Sequence, residues 1–451
     1  MASRTIKRRD FIKATAVAGT GLLILPSGVL SGQNAPSNKL NIGLIGAGGR
    51  GQQHWRAWEN ENVVALCDVD EDALARAGKQ FPGAKHYIDW RKCLDQKDMD
   101  AVVCCTTDFT HAFVANWTIN RGLHLYQEKP VGITVEEVRT VRANVLKNKN
   151  KLATMHGTQR HADPNFDRIR ELIIDGAIGE LSAVHIFGNR QIPKPGYLPA
   201  KGRPPKTFHY DLWLGPVRED HPYNPEYFDN HEARPGTNCL NWNMYWDFGV
   251  GQMGDMGAHT IDIAWNAIDA GLPTAIEASG EEFNPDVTPV ELTAILDHPA
   301  NDWRPAIKVA WYQGGAMPEN SMRFIDLDQI GHGALFKGSQ GFLAAGFRTR
   351  ALIPYGEEAD MTYYKPRSKD KLIPKRGVFQ QEWIDACKGD LKTSVDLEYG
   401  SISVENMLLG LVAYRVGEKI EYDGVRGRVT NSAEGNDLLS RTYRRGWTLD
   451  G

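Results

Sequence analysis

The sequence predicts an α/β protein with two domains, the first built on a parallel sheet. From Lys39 to about Ala153, apolar runs of strand length alternate with helical stretches, a pattern typical of parallel strands covered by helices on both faces. The chain has 451 residues, which is more than one typical domain. Hydrophobic residues make up 41% of it, which is enough to build large cores.

The first element is an apolar strand that runs into a glycine-rich turn, LNIGLIGAGGRG, from Leu40 to Gly51. The glycines with the spacing G-x-G-x-x-G are Gly46, Gly48 and Gly51. This spacing permits a tight turn, close approach of a pyrophosphate to the backbone, and packing of the next helix against the sheet. The phosphates would bind the free amides at the N-terminus of that helix. The turn, together with Gly49 and Arg50, therefore predicts a dinucleotide site in a Rossmann domain.

An acidic residue follows the second apolar run. Val63 to Cys67 ends in Asp68, close to the spacing expected for an acid that binds a ribose 2′-hydroxyl. Because a carboxylate repels the 2′-phosphate of NADP, Asp68 favours NAD as the cofactor over NADP. Neighbouring arginines can override this preference.

Polar residues also follow a later strand, predicted from Ala101 to Thr106. The stretch TTDFTH begins at its carboxyl end, where the ligands of such sheets bind. We therefore expect Thr106, Thr107 and His111 to lie near the cofactor.

A lysine stands between an acid and a proline at the end of the next strand. The predicted strand His124 to Gln127 leads directly into Glu128-Lys129-Pro130. Proline fixes its own backbone and restricts the residue before it, so Lys129 is held in position. The residues alone also fit a surface lysine beside a turn, and both interpretations stay open at this point.

A second group of polar residues lies in WDFGVGQMGDMGAH, Trp246 to His259. Asp255 and His259 are four residues apart, so both side chains share one face if a helix begins near Gly254. A carboxylate beside an imidazole fixes the tautomer of the ring and raises its basicity. This arrangement suits a base that removes a hydroxyl proton as a hydride leaves the carbon. A core histidine with an aspartate helix cap fits the spacing equally.

Aromatic residues accompany this stretch. Flat rings offer apolar faces to the C–H surface of a sugar, while polar neighbours bind its hydroxyls. The residues concerned are Trp213, Trp242, Tyr245 and Trp246. As a group they predict a carbohydrate cleft, although each ring alone is as typical of core packing. The span Pro193 to Asn241, rich in Pro, Gly and aromatics, is predicted to be a substrate-side insertion.

Taken together, the turn GLIGAGGRG, Asp68, THAFV around His111 and EKPVGIT around Lys129 resemble the Gfo/Idh/MocA oxidoreductases. The resemblance covers nearly all of the chain after the first 35 residues. It implies a Rossmann domain at residues 38–154. It also implies a substrate-binding and oligomerisation domain at 155–451, with a large, mostly antiparallel open sheet and C-terminal helices that pack back near the first domain.

The resemblance also implies roles for residues. In the family the lysine of the EKP motif reaches the substrate hydroxyl and the nicotinamide, which assigns Lys129, next to Glu128, to both ligands. The stretch MHGTQRH, Met155 to His161, resembles the first strand of the larger sheet and brings Gln159 and Arg160 to the substrate cleft. The D-x-x-x-H match favours Asp255 and His259 as catalytic and substrate-binding residues. A homo-oligomer, dimer or tetramer, is the implied assembly.

Residues 1–35 have the features of an export signal. A basic segment with Arg8-Arg9 followed by Asp10-Phe11-Ile12-Lys13 precedes an apolar, small-residue run, and resembles a twin-arginine signal peptide. An uncleaved anchor is the alternative, but the run is short and contains glycine. We expect a periplasmic or otherwise extracytoplasmic protein with no stable membrane span after processing. Because this route carries folded proteins, the cofactor is expected to be tightly held.

Composition argues against several other classes. The formal net charge is −4 and the mature region has no dense Lys/Arg block, so no nucleic-acid partner is expected. The histidines are scattered without zinc-like pairs, so no metal site is expected. Cys67, Cys104 and Cys105 fall in apolar runs where cysteine acts as a small buried hydrophobe, so no disulfide framework is expected.

These features predict an exported NAD(P)-dependent oxidoreductase that acts on a secondary hydroxyl of a sugar or sugar derivative. Lys129 and His259 would manage the hydroxyl proton. The alternative is a redox-neutral glycoside hydrolase, in which transient oxidation acidifies the adjacent C–H bond, a leaving group is eliminated, and the hydride returns. A non-catalytic sugar-binding module is a third interpretation.

Overall fold

The structure is a computed structural model that describes residues 38–188, 202–219, 221–228, 239–320, 325–355 and 361–450. The predicted signal at residues 1–35 and parts of the insertion at 193–241 lie outside these residues. From Leu40 onward the chain forms one unit with a six-stranded and a nine-stranded sheet. This architecture confirms the predicted fold class.

The six-stranded sheet is parallel throughout. Its strands are β1 (Asn41–Ile45), β2 (Asn62–Cys67), β3 (Lys85–Tyr87), β4 (Ala101–Cys104), β5 (His124–Gln127) and β6 (Thr154–His156). Their order in the sheet is β3-β2-β1-β4-β5-β6. The β4 residues are all buried, as expected for parallel strands covered on both faces. The chain order reverses between β1 and β4, and ligands of such sheets bind outside the carboxyl ends at this point.

Five helices connect these strands. They are α1 (Gly49–Trp58), α2 (Glu71–Gln80), α3 (Trp90–Cys93), α4 (Asp108–Asn120) and α5 (Val135–Asn148). Side chains cap the first turn of three of them, α2, α3 and α5. The Asp70 carboxylate accepts a hydrogen bond from the Asp72 amide at the start of α2, and the Thr134 hydroxyl accepts one from the Glu137 amide at the start of α5. The α1 helix begins after Gly48 without a side-chain cap, which leaves its first amides open to a ligand.

The nine-stranded sheet is antiparallel except for one pair. Its strands are β7 (Leu181–Gly188), β8 (Ala275–Gly280), β9 (Leu292–His298), β10 (Ile307–Gln313), β11 (His332–Gly338), β12 (Gly341–Gly346), β13 (Arg350–Pro354), β14 (Ile420–Asp423) and β15 (Arg428–Val429). The order is β13-β12-β11-β7-β10-β9-β8-β14-β15, and β7 and β10 form the parallel pair. In β9 every second residue is buried, so one face of the sheet packs on the core.

The sheet boundary lies later than the sequence predicted. The expectation that Met155 opens the larger sheet is wrong, because β6 pairs in parallel with β5 and completes the first sheet. Residues Gln159–Ala162 then form a 3-10 turn. A short apolar run does not reveal which sheet it joins, since periodicity carries no information about its partner strand.

The remaining helices cover the second sheet and cross back to the first. They are α6 (Pro164–Ile174), α7 (Tyr210–Leu214), α8 (Cys239–Trp242), α9 (Ala258–Ile268), α10 (Leu327–Ile330), α11 (Phe379–Lys388), α12 (Leu397–Val416) and α13 (Ala433–Asp437). In α11, the Trp383 ring packs edge-on against Trp58 of α1, with 5.6 Å between centroids. The α12 helix packs between α5 and strands β8 and β9, and is buried on nearly all sides. Among the described helices, none is both long and apolar enough to span a bilayer.

Candidate active site

A cavity of about 360 Å³ opens at the carboxyl ends of β1, β4 and β5. Residues at the carboxyl ends of the first sheet form one wall. Residues of the second domain, among them Trp213, Asp255 and His259, form the other. Sequence-predicted residues on its surface are Gly46, Gly48, Gly49, Arg50, Asp68, Thr106, Thr107, His111, Glu128, Lys129, Trp213, Asp255 and His259. The structure therefore brings most of the predicted residues to one place.

The glycine turn fits a phosphate group. At Gly46 the backbone has φ +79°, and an added Cβ would lie 2.5 Å from the carbonyl oxygen of Cys105. At Gly51 an added Cβ would lie 2.0 Å from the carbonyl oxygen of Gly46, so only glycine lets α1 pack this close to the turn. Gly49 has φ +44° and open space around it. The turn thus presents bare backbone and the open α1 amides to the cavity.

Asp68 lies beside this turn at the end of β2. One carboxylate oxygen accepts a hydrogen bond from the Gly48 amide at 2.8 Å, and the other accepts one from the Asp70 amide at 3.0 Å. Burial raises the pKa of Asp68, although both amide hydrogen bonds oppose the rise. Its position on the cavity wall is the one expected for an acid that binds a ribose hydroxyl.

Glu128 is the centre of a buried ionic network under the turn. Its Oε1 lies 2.7 Å from Nε2 of His54 and 3.3 Å from Nε of Arg50. Burial alone would raise the pKa of Glu128, but Arg50 and His54 outweigh it and hold the pKa well below its usual range. Glu128 therefore anchors the side chain of Arg50, a residue of the glycine turn, at the end of β5.

The predicted residues after β4 line the cavity and also take part in hydrogen bonds at the start of α4. The Thr110 hydroxyl donates to the Thr106 hydroxyl at 2.8 Å, and Thr107 is the cap residue of α4. The two ring nitrogens of His111 face the carbonyl oxygens of Pro130 at 2.6 Å and Thr106 at 3.2 Å. His111 is buried, so it ties the end of β4 to the turn that carries Lys129.

Lys129 and Asp255 meet across the cavity. The Lys129 ammonium, at the end of β5, forms an ion pair with Oδ1 of Asp255. Asp255 lies in a π-helical turn, Met253–Gly257, just before α9. A lysine from the first domain thus faces a carboxylate from the second.

The ring of His259 is held by a residue that the sequence analysis did not select. Asp255 was expected to orient it, but the hydrogen bond at Nδ1 joins Thr158 Oγ1 at 3.3 Å. The π-helical turn adds a residue to the local period, so positions 255 and 259 no longer stack as they would on an α-helix. The Thr158 hydroxyl also lies 3.4 Å from the carbonyl oxygen of Ala258. When it donates its one proton to that carbonyl, Nδ1–H donates to Oγ1 and Nε2 is left as an acceptor.

Electrostatics keep this ring neutral. Burial, and then the charge of Lys129, lower the pKa of His259 to about 3, against the opposing effect of Asp255. At neutral pH the ring is therefore an uncharged base with a free lone pair.

Asp108 is a second residue that sequence reasoning missed. It is the first residue of α4 and lines the cavity with Lys129, Asp255 and His259. Burial raises its pKa to about 8, Lys129 opposes the rise, and Asp255 adds to it. The signal in the sequence was an acid within TTDFTH, at the carboxyl end of a strand, where a ligand is expected.

Three predicted substrate residues lie elsewhere. Tyr245 packs on Tyr227 with 5.0 Å between ring centroids, and Trp246 donates from Nε1 to the Asn284 carbonyl at 2.9 Å. Arg160 pairs with Asp163 at 3.6 Å. None of the three is among the residues that line the cavity, so we correct those assignments. The side chains are used for packing, which single aromatic or basic positions cannot distinguish from binding in a sequence.

The described part of the insertion forms a strap, defined as residues 207–213, over the loop after Asp68. The Glu71 amide donates to the Thr207 carbonyl, and the His209 amide donates to the Val69 carbonyl, both at 2.9 Å. Nε2 of His209 also lies 2.7 Å from the Glu71 carboxylate. From the strap, Phe208, Leu212 and Trp213 reach the cavity wall, and Trp242 joins them. The insertion therefore covers the cofactor side of the cavity as well.

The described residues contain neither a metal-binding cluster nor a disulfide. Within the described ranges, no group of three or more His, Cys, Asp or Glu residues could hold a metal ion. The five cysteines whose side chains the structure describes are free thiols.

Two sequence models match this chain. Residues 40–156 match the NAD-binding Rossmann fold of the Gfo/Idh/MocA oxidoreductases, and residues 197–290 match the C-terminal alpha/beta domain of that family. The chain is 29% identical over 151 residues to inositol 2-dehydrogenase of Salmonella typhimurium, covering 32% of this chain and 45% of that protein. It is 35% identical over 151 residues to inositol 2-dehydrogenase of Rhizobium meliloti, covering 33% and 44%. The chain thus spans less than half the length of these relatives.

Solved structures share the fold. WlbA dehydrogenase from Bordetella pertussis, in complex with NADH and UDP-GlcNAcA, has a TM-score of 0.60 and 16% identity, and the match covers 85% of this chain and 98% of that one. Levoglucosan dehydrogenase, in complex with NADH and levoglucosan, has a TM-score of 0.53 and 16% identity, covering 85% and 99%. Residues 40–156 and 197–290 are thus similar to the NAD-binding Rossmann domain and the C-terminal domain of the Gfo/Idh/MocA oxidoreductases, and the chain shares its two-sheet fold with these solved structures.

Proposed function

We propose that this protein is an NAD-dependent oxidoreductase that transfers a hydride to or from a carbon bearing a secondary hydroxyl of a sugar or sugar-like polyol. The observation that carries the proposal is that Lys129, Asp255 and His259 line one cavity with the glycine turn. Similar proteins include inositol dehydrogenases and a levoglucosan dehydrogenase, which favours a polyhydroxylated ring as the substrate class.

The chain offers a matching set of groups to the cofactor. Bound NAD would supply the acceptor for the hydride. The Gly46–Gly51 turn and the α1 amides would hold its pyrophosphate, and Asp68 would bind the adenosine ribose. Because the carboxylate of Asp68 would repel a 2′-phosphate, we infer NAD over NADP.

Groups from both walls act on the substrate hydroxyl. The Lys129 ammonium, held by Asp255, would donate a hydrogen bond to the substrate oxygen and stabilise the negative charge that develops there. Nε2 of His259, kept unprotonated by the bond at Nδ1, would accept the hydroxyl proton. Lys129 and His259 have the roles that the sequence predicted for them. Asp255 would position the Lys129 ammonium instead of the His259 ring.

The substitution Lys129→Met tests the proposal. It removes the ammonium and keeps the apolar stem, so turnover should fall by about a hundredfold to a thousandfold, the usual effect of losing a donor that stabilises the charge of the transition state. NADH binding, measured by fluorescence titration, should change far less. Lys97→Met, at an exposed lysine, is the matched control. Unchanged turnover in K129M would remove Lys129 from the mechanism and favour the non-catalytic sugar-binding interpretation.

The cofactor itself gives a direct readout. We expect dinucleotide to co-purify with gently prepared protein, and its oxidation state to change on addition of the right sugar from a panel of sugars and glycosides. A preparation that contains no dinucleotide and binds none on titration would contradict the proposal.

A redox-neutral glycoside hydrolase is the second candidate. Asp108 favours it, since elimination and re-addition need more proton-transfer groups than hydride transfer alone, and the strap favours a cofactor that stays in place. Aryl glycosides without added cofactor separate the two activities. Release of the aglycone indicates the hydrolase, whereas accumulation of a keto-sugar and NADH indicates the dehydrogenase.

We also propose export by the twin-arginine route and assembly as a homo-oligomer. The support for export is the sequence of residues 1–35, with Arg8 and Arg9 at its centre. Replacement of both arginines by lysine should retain the protein in the cytoplasm, as measured by cell fractionation. Light scattering of the purified protein measures whether it is a dimer or tetramer.

A further inference from the structure

Asp108 is a carboxyl group that the proposed hydride transfer leaves unused. It stands at the carboxyl end of β4, as the first residue of α4, and lines the cavity beside Lys129 and Asp255. The residue is only 8% exposed. Among the described residues, no side chain forms a hydrogen bond or ion pair with it. It is therefore a buried polar group whose remaining open side is the cavity.

Charged groups influence Asp108 within the cavity. They are Lys129, Asp255 and Glu128, which belong to the turn after β5 and to the π-helical turn. The aromatic side chains Trp213 and Trp242 line the same cavity. A helix-capping carboxylate on the surface would be solvated and ionised, and Asp108 has neither property.

The pKa of about 8 supports a role in both directions of proton transfer. Below that pH the group is mostly protonated, and a minor ionised fraction remains at neutral pH. A group with its pKa near the working pH both gives and takes protons efficiently. Ionised, it would sit within reach of the positive charge of Lys129, which limits the cost of that state.

We propose that Asp108 is a second proton-transfer group, which exchanges the proton on the carbon next to the carbonyl that forms when the substrate hydroxyl is oxidised. The inference rests on the proposed function and adds an enolisation activity to it. The C–H bond breaks and its proton goes to a carboxylate oxygen of Asp108. The electron pair of that bond forms a C=C bond, and the carbonyl electrons move onto oxygen as an enolate, which the Lys129 ammonium stabilises. Reversal returns a proton from Asp108 to carbon.

Two separate bases make chemical sense in this cavity. Hydride transfer moves one proton, that of the hydroxyl, and His259 accepts it. Exchange at the neighbouring carbon needs a group in a different position, because the two protons leave different atoms. A substrate with a leaving group one carbon beyond would then undergo elimination from the same enolate, which connects Asp108 to the hydrolase alternative.

Deuterium exchange tests the proposal without requiring hydride transfer. The holoenzyme is incubated in D₂O with a panel of keto-sugars and with inosose, the monoketone of inositol, and deuterium at the adjacent carbon is followed by NMR. We expect wild-type protein to catalyse exchange above the rate without enzyme. Asp108→Asn should lower this exchange by about a hundredfold or more, the lower range for a proton-transfer group. Asp98→Asn, at an exposed aspartate, should exchange like wild type.

Each outcome has one meaning. Melting temperature and NADH binding of D108N establish that the variant is folded and loaded. Exchange in wild type that D108N loses supports the proposal. No exchange in wild type with any of the ketones, or exchange that D108N keeps, overturns it. Exchange together with no oxidation of any sugar in the panel would overturn the proposed hydride transfer while leaving the role of Asp108 standing.

A second readout does not depend on any substrate. In the infrared difference spectrum of wild type minus D108N, the band of a protonated carboxyl should titrate near pH 8. If this band titrates near pH 4, as the bands of ordinary carboxyl groups do, the assignment to Asp108 is overturned.

Discussion

At the scale of single residues, the chemistry depends on which nitrogen of His259 carries a proton. Thr158 controls this, because a hydroxyl that donates its only proton to the Ala258 carbonyl can only accept from Nδ1–H of the ring. The stretch MHGTQRH gave no sign of this role, since the contact spans about a hundred residues of sequence. Lys129 was more visible, because its position follows from its immediate neighbours Glu128 and Pro130.

A substitution at Thr158 should separate tautomer control from packing. Thr158→Val keeps the shape and removes the acceptor, so the ring can adopt the other tautomer. We expect kcat to fall by about tenfold, equivalent to about 1.4 kcal/mol at the transition state, with little change in KM. Thr158→Ser restores the hydroxyl and should recover most of the rate. Equal losses in both variants would show that Thr158 matters only for packing.

At the scale of elements, the glycine turn and the π-helical turn behave differently as sequence signals. The G-x-G-x-x-G spacing encodes its own geometry, because each glycine answers a local steric demand that the structure shows at Gly46 and Gly51. The sequence of the turn Met253–Gly257 does not encode its π-helical geometry in this way. Its added residue rotates Asp255 toward Lys129, and an i, i+4 argument built on an α-helix misses that rotation. Likewise β6 was placed in the wrong sheet, because pairing is decided by tertiary packing.

The steric demand at Gly51 leads to a prediction. A methyl group there would lie 2.0 Å from the Gly46 carbonyl oxygen, so Gly51→Ala must push α1 away from the turn. We expect NADH affinity to fall by about a hundredfold, or about 2.7 kcal/mol, as measured by fluorescence titration. Gly83→Ala, where an added Cβ has nothing within 4 Å, is the control and should bind normally. Normal binding by G51A would show that the turn does not hold the pyrophosphate.

At the scale of the whole molecule, segments far apart in sequence pack against the first domain. The strap comes from the second domain yet bonds to the loop after β2 in the first, and α11 inserts Trp383 beside Trp58. The alternation of strands and helices predicted the two-domain plan. That alternation did not predict the strap. The two backbone hydrogen bonds of the strap join residues about 140 positions apart, so they leave no local pattern in the sequence.

The strap should control how fast the cofactor leaves. Phe208 lines the cavity and packs on Phe228 with 5.1 Å between ring centroids. Phe208→Ala removes this cover, so we expect NADH dissociation, followed by stopped-flow fluorescence, to accelerate by about tenfold or more. The His209–Glu71 pair is partly exposed, and such pairs contribute at most about 1 kcal/mol. His209→Ala should therefore change the rate by less than about fivefold. A larger effect from H209A than from F208A would contradict this ranking.

The two backbone hydrogen bonds of the strap hold it on the loop after Asp68, where the adenosine end of a dinucleotide would bind. Release of the cofactor would then require Thr207 and His209 to separate from that loop. With this segment unfastened, residues 207–213 would then be the place where a protease distinguishes empty molecules from loaded ones.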